Sequence, residues 1–264
     1  MLEMNGAPHL QPNSEQSSRE FGLIGHPLGH SFSARFFAEK FQKEQIDATY
    51  QNFDIEEAAQ LMDIISSHPL LQGVNVTIPH KQAILPLLND ISDEARAIGA
   101  VNVVRISRDT DGTPILKGYN SDVIGFCQSL RPLLRPHHRK ALVLGTGGAS
   151  KAVVYGLKRL GITSMYVSRT PKEGQFTYDD LTSELLQEFT VIVNCTPLGM
   201  YPHIDHCPNL PYASLTAQHL LYDLVYNPEE TLFLKKGAEH GATTKNGLEM
   251  LHLQALASWD FWNE

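Results

Sequence analysis

The stretch "GVNVTIPHK", residues 73 to 81, carries an amide, a hydroxyl and an ammonium group (Asn75, Thr77 and Lys81) at the end of an apolar run. Its alternating, β-branched side chains predict a strand, which Pro79 ends as a helix starts. Three more segments bring polar groups to expected strand ends: "GHSFS" with Ser31 and Ser33, "GAVN" with Asn102, and "NSD" with Asn120 and Asp122. Hydroxyls and amides of this kind suit a small polyhydroxylated acid, and a Lys81/Asp122 pair could move a proton. Each residue also has a plain structural reading. Lys81 could be a solvated first-turn lysine, Ser31, Ser33 or Asp122 a helix cap, and Asn102 a turn residue; ligand contact is compatible with all of these.

A second cluster is built on glycines. In "LVLGTGGAS", residues 142 to 150, a buried strand turns through Gly145, Gly147 and Gly148 into a helix. Gly145 permits the tight turn, Gly147 lets the backbone approach a pyrophosphate, and the helix N-terminus offers free N–H groups to the anion. Ser150 stands where the dinucleotide fingerprint has its third glycine, and it is small enough for close helix packing. A plain strand-to-helix turn would use the same triplet, so the end of the next strand, about 20 residues on, decides more. An NAD enzyme carries Asp or Glu there for the ribose 2′-hydroxyl. This chain has Ser168, Arg169 and Thr170, a guanidinium and two hydroxyls that suit a 2′-phosphate. NADP is the expected cofactor.

These groups need a fold that brings strand ends together. From Phe21 onward, short apolar runs ("FGLIG", "YQNFDI", "GVNVTI") alternate with amphipathic ones ("SARFFAEKFQKEQ", "EEAAQLMDIISS"), which predicts an α/β fold with mostly parallel strands. A second series begins near Ser121 with the helix "DVIGFCQSLRPLL", then "KALVLG", "ASKAVVYGLKRLG", "SMYVSR", "TVIVNCT" and "LLYDLV". The expected architecture has two domains. Residues 21–118 with 247–264 form a substrate domain, residues 121–246 form a Rossmann-like domain, and the C-terminal helix "NGLEMLHLQALASWDFW" packs back on the first.

With 264 residues, 42% hydrophobic composition and a formal charge of −8, the chain can bury a real core and lacks the basic balance favoured by nucleic acid or anionic membranes. Small molecules are the expected partners, with a monomer or homodimer as the assembly. Cys127, Cys195 and Cys207 are too few and too irregular for a disulfide framework or zinc site. No apolar run approaches the roughly 18 residues of a membrane helix, and the polar opening, residues 1–20, has no signal pattern and is expected to be a flexible extension. A cytoplasmic location follows as the expectation. "HIDHC", residues 203 to 207, is the best histidine cluster but lacks partners at ligand spacing.

From Phe21 nearly to its end the sequence resembles the shikimate dehydrogenase family. The resemblance rests on nine pieces in order: "HPLGHSFS", "GVNVTIPHK", "GAVN", "KGYNSDVIGF", "LGTGGASKAV", "SRT", "NCTPLGM", "YDLVYNP" and "NGLEMLHLQA". It implies reversible NADPH-dependent reduction of 3-dehydroshikimate to shikimate, on the route to chorismate and the aromatic amino acids. It also implies that Ser31, Ser33 and Tyr226 hold the substrate carboxylate. Asn75, Thr77, Asn102, Asp122 and Gln254 would bind ring hydroxyls, and Lys81 beside Asp122 would be the acid/base. Gly145, Gly147, Gly148 and Ala149 would cradle the pyrophosphate, Arg169 and Thr170 the 2′-phosphate, and Leu224 and Gly247 would line the nicotinamide side.

The chain departs from the family pattern in three places. After Arg169-Thr170 it has Lys172 and a loop with Gly174, so the helix expected there is shortened or missing; Ser121 replaces a more frequent threonine, and His252 sits where an aliphatic residue is common. Quinate as substrate, or a ligand sensor without turnover, are the competing functions; a retained Lys81/Asp122 pair speaks against the sensor.

Overall fold

The computed structural model describes residues 19–29 and 32–264, so Ser31, expected to hold the substrate carboxylate, and the expected N-terminal extension up to residue 18 lie outside the described residues. The extension stops short of residue 20, because Glu20 already belongs to the first strand and the Arg19 guanidinium donates to Gln72 and Asn263.

Two β-sheets organise the chain. The first half runs β1 (Glu20–Gly25), α1 (Phe32–Glu44), β2 (Thr49–Asp54), α2 (Leu61–Ser67), β3 (Leu71–Val76), α3 (His80–Ala83), β4 (Asp90–Ile91), α4 (Asp93–Ile98), β5 (Val103–Arg108) and β6 (Pro114–Tyr119). The strand order is β2-β1-β3-β5-β6-β4. The pairs β1/β2, β1/β3 and β4/β6 are parallel, whereas β3/β5 and β5/β6 are antiparallel. The chain leaves β1 for β2 on one side and returns to β3 on the other. That makes the carboxyl ends of β1 and β3 a topological switch point, where a crevice for ligand opens.

The second half runs α5 (Asp122–Leu130), β7 (Lys140–Leu144), α6 (Gly148–Arg159), β8 (Thr163–Val167), α7 (Ser183–Glu188), β9 (Val191–Asn194), β10 (Leu220–Asp223), α8 (Leu232–Glu239), β11 (Thr243–Lys245) and α9 (Leu248–Trp262). Its sheet is wholly parallel in the order β11-β10-β9-β7-β8. Its strands are near-continuous apolar runs, as double-faced burial demands. The switch point here lies between β7 and β9, beside the glycine turn. The crossover from β8 to β9 has no helix directly after the strand: Phe176 bridges back to Val167, a single helical turn starts at Tyr178, and only the six-residue α7 follows. The Gly174 loop thus goes with a shortened, delayed helix.

The C-terminal helix α9 belongs to both halves. Trp262 stacks on Phe21 at 4.8 Å and its indole N–H donates to the Val104 carbonyl, anchoring α9 to the first sheet. Met250 of α9 joins Val123, Phe126 and Leu130 of α5 in the core beneath the second sheet. A helix gripped at both ends in this way holds the two switch points face to face.

Candidate active site

β3 ends at Val76, and the following turn swings Lys81 toward the first residue of α5. The Lys81 Nζ donates to Asp122 Oδ2 at 2.6 Å, with the two side chains only 15% and 9% exposed. Such burial removes the solvated-lysine reading, because a half-buried ammonium persists when paired and hydrogen-bonded. Asp122 Oδ1 accepts from Asn102 Nδ2 at 2.8 Å, and the Ser121 backbone N–H donates to Asn102 Oδ1 at 2.7 Å. The carboxylate therefore has one oxygen fixed by an amide and the other by the lysine. Among the described residues nothing else takes a Lys81 proton, so two of its three N–H donors are left for an incoming oxygen.

A cavity of about 410 Å³ opens over this pair. Ser33, Asn75, Thr77, Lys81, Asn102, Asp122, Tyr226 and Gln254 line it, on walls of Leu23, Leu28, Phe32, Ile78, Met250 and Leu251. Asn75 is already engaged, since it accepts from the Tyr50 hydroxyl at 2.9 Å and donates to the Ser258 hydroxyl at 2.9 Å. The Gln254 side-chain oxygen accepts from the Ser121 hydroxyl at 3.3 Å. Tyr50, which also bonds Ser33, is a partly buried phenol whose pKa desolvation pushes upward. Asn120 is turned away and caps backbone, donating to the Ala100 carbonyl and accepting from the Val123 N–H.

The second cavity, about 810 Å³, lies at the β7/β9 switch point. Gly145, at φ +95°, makes the turn that L side chains rarely adopt, and a Cβ on Gly147 would project into open space. Gly147 caps α6 without any side-chain bond to the helix, so its first N–H groups face this space. Ser150 is fully buried, and its hydroxyl donates back to the Gly147 carbonyl at 2.7 Å. Ser168, Arg169, Thr170, Tyr178, Thr196 and Asn209 complete the polar lining, which holds one arginine and no carboxylate. Burial raises the Tyr178 pKa, and the nearby Arg169 draws it back down. An open glycine turn, a helix N-terminus and a lone cation fit a phosphorylated dinucleotide.

The remaining cofactor candidates sit at the junction. Ala149, Leu224 and Gly247 line the first cavity rather than the second, and Gly148 lines neither, although a Cβ added to it would reach within 3.9 Å of the Lys81 stem. Ile78 lines both. A cofactor lying along the second cavity would thus bring one end against the floor of the first, above Lys81.

Comparison with known proteins agrees with this geometry. Residues 23–104 match the profile described as "Shikimate dehydrogenase substrate binding domain". The shikimate dehydrogenase (NADP(+)) of Crocosphaera subtropica is 38% identical over 264 residues, covering 91% of this chain and 89% of that protein. The chain belongs to the shikimate dehydrogenase family. The crystal structure of the Thermus thermophilus family member, solved with NADP(H) and shikimate, superposes with a TM-score of 0.79 at 30% identity, covering 92% of this chain and 93% of that one. A 5-ketofructose reductase from a Gluconobacter strain shares the fold, with a TM-score of 0.77 at 28% identity over 93% of this chain and 92% of that one.

Several residues around this family site carry no role in the sequence reading. Tyr50 and Ser258 hold Asn75 from strands and helices far away in sequence, and no local motif announces them. Asn194 and Asp223, by contrast, stand in the quoted pieces "NCTPLGM" and "YDLVYNP" at the ends of parallel strands, a position that could have flagged them.

Proposed function

We propose that the chain is an NADP-dependent shikimate dehydrogenase, reversibly reducing 3-dehydroshikimate to shikimate on the route to chorismate and the aromatic amino acids. The observation that carries the reading is the 2.6 Å Lys81–Asp122 pair on the floor of the cavity where both crevices meet. Bound NADPH supplies the hydride. Lys81 donates a proton to the ketone oxygen as negative charge grows there, or accepts one from the alcohol in reverse. Asp122, held by Asn102, keeps the lysine aimed and offers its carboxylate to a neighbouring ring hydroxyl. Ser33 and Tyr226, together with Ser31, take the substrate carboxylate; Thr77 and Gln254 take hydroxyls, and Asn75 contributes through its Tyr50 and Ser258 bonds. Gly145, Gly147, Gly148 and Ala149 give backbone to the pyrophosphate and Ser168, Arg169 and Thr170 bind the 2′-phosphate, with Leu224 and Gly247 beside the nicotinamide.

In this reading residues 21–118 with 247–264 act as the substrate domain and residues 121–246 as the cofactor domain. The three free thiols suit a reducing cytoplasm. Among the described residues no helix is long and apolar enough to cross a membrane. The test is to follow the absorbance of the reduced nicotinamide while purified protein is offered shikimate or quinate, each with NADP and with NAD. Fast turnover of shikimate with NADP alone is expected. Preference for quinate relocates the specificity, preference for NAD removes the Arg169 role, and absence of turnover with every pair overturns the assignment.

A further inference from the structure

Asp223 ends β10 with a fully buried carboxylate, and no ion-pair partner approaches it among the described residues. Its Oδ1 accepts from Asn194 Nδ2 at 2.9 Å and the Val225 N–H at 3.0 Å, and its Oδ2 accepts from the Thr231 hydroxyl at 2.6 Å. Asn194, which ends β9, uses its own Oδ1 to hold the Thr196 N–H at 3.0 Å and the Thr196 hydroxyl at 2.6 Å, while its Nδ2 reaches the Leu198 carbonyl at 3.4 Å. Thr196 and Leu198 line the cofactor cavity. Val225 stands between Leu224 and Tyr226, which line the substrate cavity. Main-chain bonds run the same way, from the Leu224 N–H to the Asn194 carbonyl at 3.0 Å and from the Tyr201 N–H to the Asn227 carbonyl at 3.1 Å.

A carboxylate buried without a counter-charge is a poor choice for stability alone, since a neutral amide in the same place escapes the desolvation cost. What the carboxylate offers is acceptance of several donors at once from segments that serve different cavities. We propose that Asp223 is a positioning residue for hydride transfer, holding the Thr196–Leu198 wall of the cofactor cavity in register with the Leu224–Tyr226 wall of the substrate cavity. This rests on the reading of the two cavities given above.

Desolvation lifts the Asp223 pKa to about 6, with the Thr231, Val225 and Asn194 hydrogen bonds pulling the other way. The titratable groups facing it are the Cys195 thiol beyond β9 and the Tyr212 phenol in the turn before β10, both raised by burial and so neutral over the relevant range. On β11, Lys245 sits beside Tyr222 and pairs with Glu249; on α8, Lys236 lies over the Tyr212 ring. The carboxylate thus titrates without a neighbouring cation to fix it.

The test uses the full chain and the variants Thr231→Val, Thr231→Ser and Asp223→Asn; Thr231 lines neither cavity. Wild-type turnover of shikimate with NADP tests the activity reading by itself, and the variant-to-wild-type ratios test the node. Thr231→Val is expected to lower kcat about tenfold with the NADP dissociation constant within about twofold, and Thr231→Ser to restore it. Carbon NMR of aspartate carboxyls in ligand-free protein, with Asp223→Asn identifying the resonance, is expected to find Asp223 titrating near pH 6. In Thr231→Val that titration and the acid limb of kcat move upward together, because the lost bond favoured the ionised form. Should Thr231→Val not fold, Asp223→Asn carries the test, with a lowered kcat and no such acid limb. Wild-type kcat in the folded variants, a fall that Thr231→Ser shares, or an acid limb that ignores the carboxyl titration overturns the proposal.

Discussion

Replacing Arg169 with Gln tests the proposed 2′-phosphate site, the part of the cavity that would distinguish NADP from NAD. Among the described residues Arg169 is the one cation lining the second cavity and no carboxylate lines it, so in the proposed reading a 2′-phosphate would meet a single positive charge flanked by the Ser168 and Thr170 hydroxyls. A hydrogen bond to a charged group contributes about 1.5–3 kcal/mol. Because Arg169 is exposed, the lower end applies, about 1.5–2 kcal/mol, which is roughly a 10- to 30-fold change in affinity. Arg169→Gln should therefore raise the KM for NADP by that factor and leave the KM for NAD within about twofold. Initial rates at saturating shikimate, with each cofactor varied, measure both. The gap should narrow as salt is raised, since exposed charges are screened over about 8 Å at physiological ionic strength. Equal changes for the two cofactors, or an unchanged NADP value, would refute the assignment of the 2′-phosphate to this strand end.

Asn102→Ala removes the amide that fixes Asp122 Oδ1, and kcat for shikimate should fall about tenfold or more while NADP binding, followed by fluorescence, is kept. Ser33→Ala should act mainly on the KM for shikimate, by about tenfold, because in the proposed reading it deletes a bond to a charged carboxylate and leaves the Lys81 pair alone. Stability should also carry the mark of Asp223. Its folded pKa of about 6 lies above the ordinary 3.8, so its favourable contribution is full below the unfolded value and is lost as pH rises through about 6. Relative to Asp223→Asn, the wild type should lose about 3 kcal/mol across that window, and urea unfolding of both proteins at its two ends measures the difference; a pH-independent difference would contradict it.

Much of this site was legible in the sequence because its chemistry sits where strands stop. The glycine turn, the "SRT" strand end and the "NVTIPHK" segment combine a period that predicts strand with residues that end it, and each lines one of the two cavities. The Gly174 loop likewise announced the shortened helix after β8. The β5/β6 hairpin falls outside the strand–helix alternation read from the sequence, although "VVRISRDTDGTPILKGY" alternates on both sides of an Asp-Gly turn in which Asp109 Oδ1 accepts from the Asp111 and Thr113 N–H groups. What could not be read were contacts between distant segments: Tyr50 and Ser258 closing on Asn75, α9 gripping both halves, and Asp223 joining two loops. Such partners are set by how the sheets pack, and neither period nor motif encodes that.

Lys81 is the proposed proton donor and acceptor, and kcat for shikimate with NADP in Lys81→Ala, set beside the dissociation constant for NADPH in the same variant, measures its part. A positioned general acid and base contributes about 10²–10⁴-fold, so kcat should fall by that order while NADPH binds as in the wild type. Turnover within about threefold of wild type in a folded, NADPH-binding variant would contradict the role given to the buried Lys81–Asp122 pair.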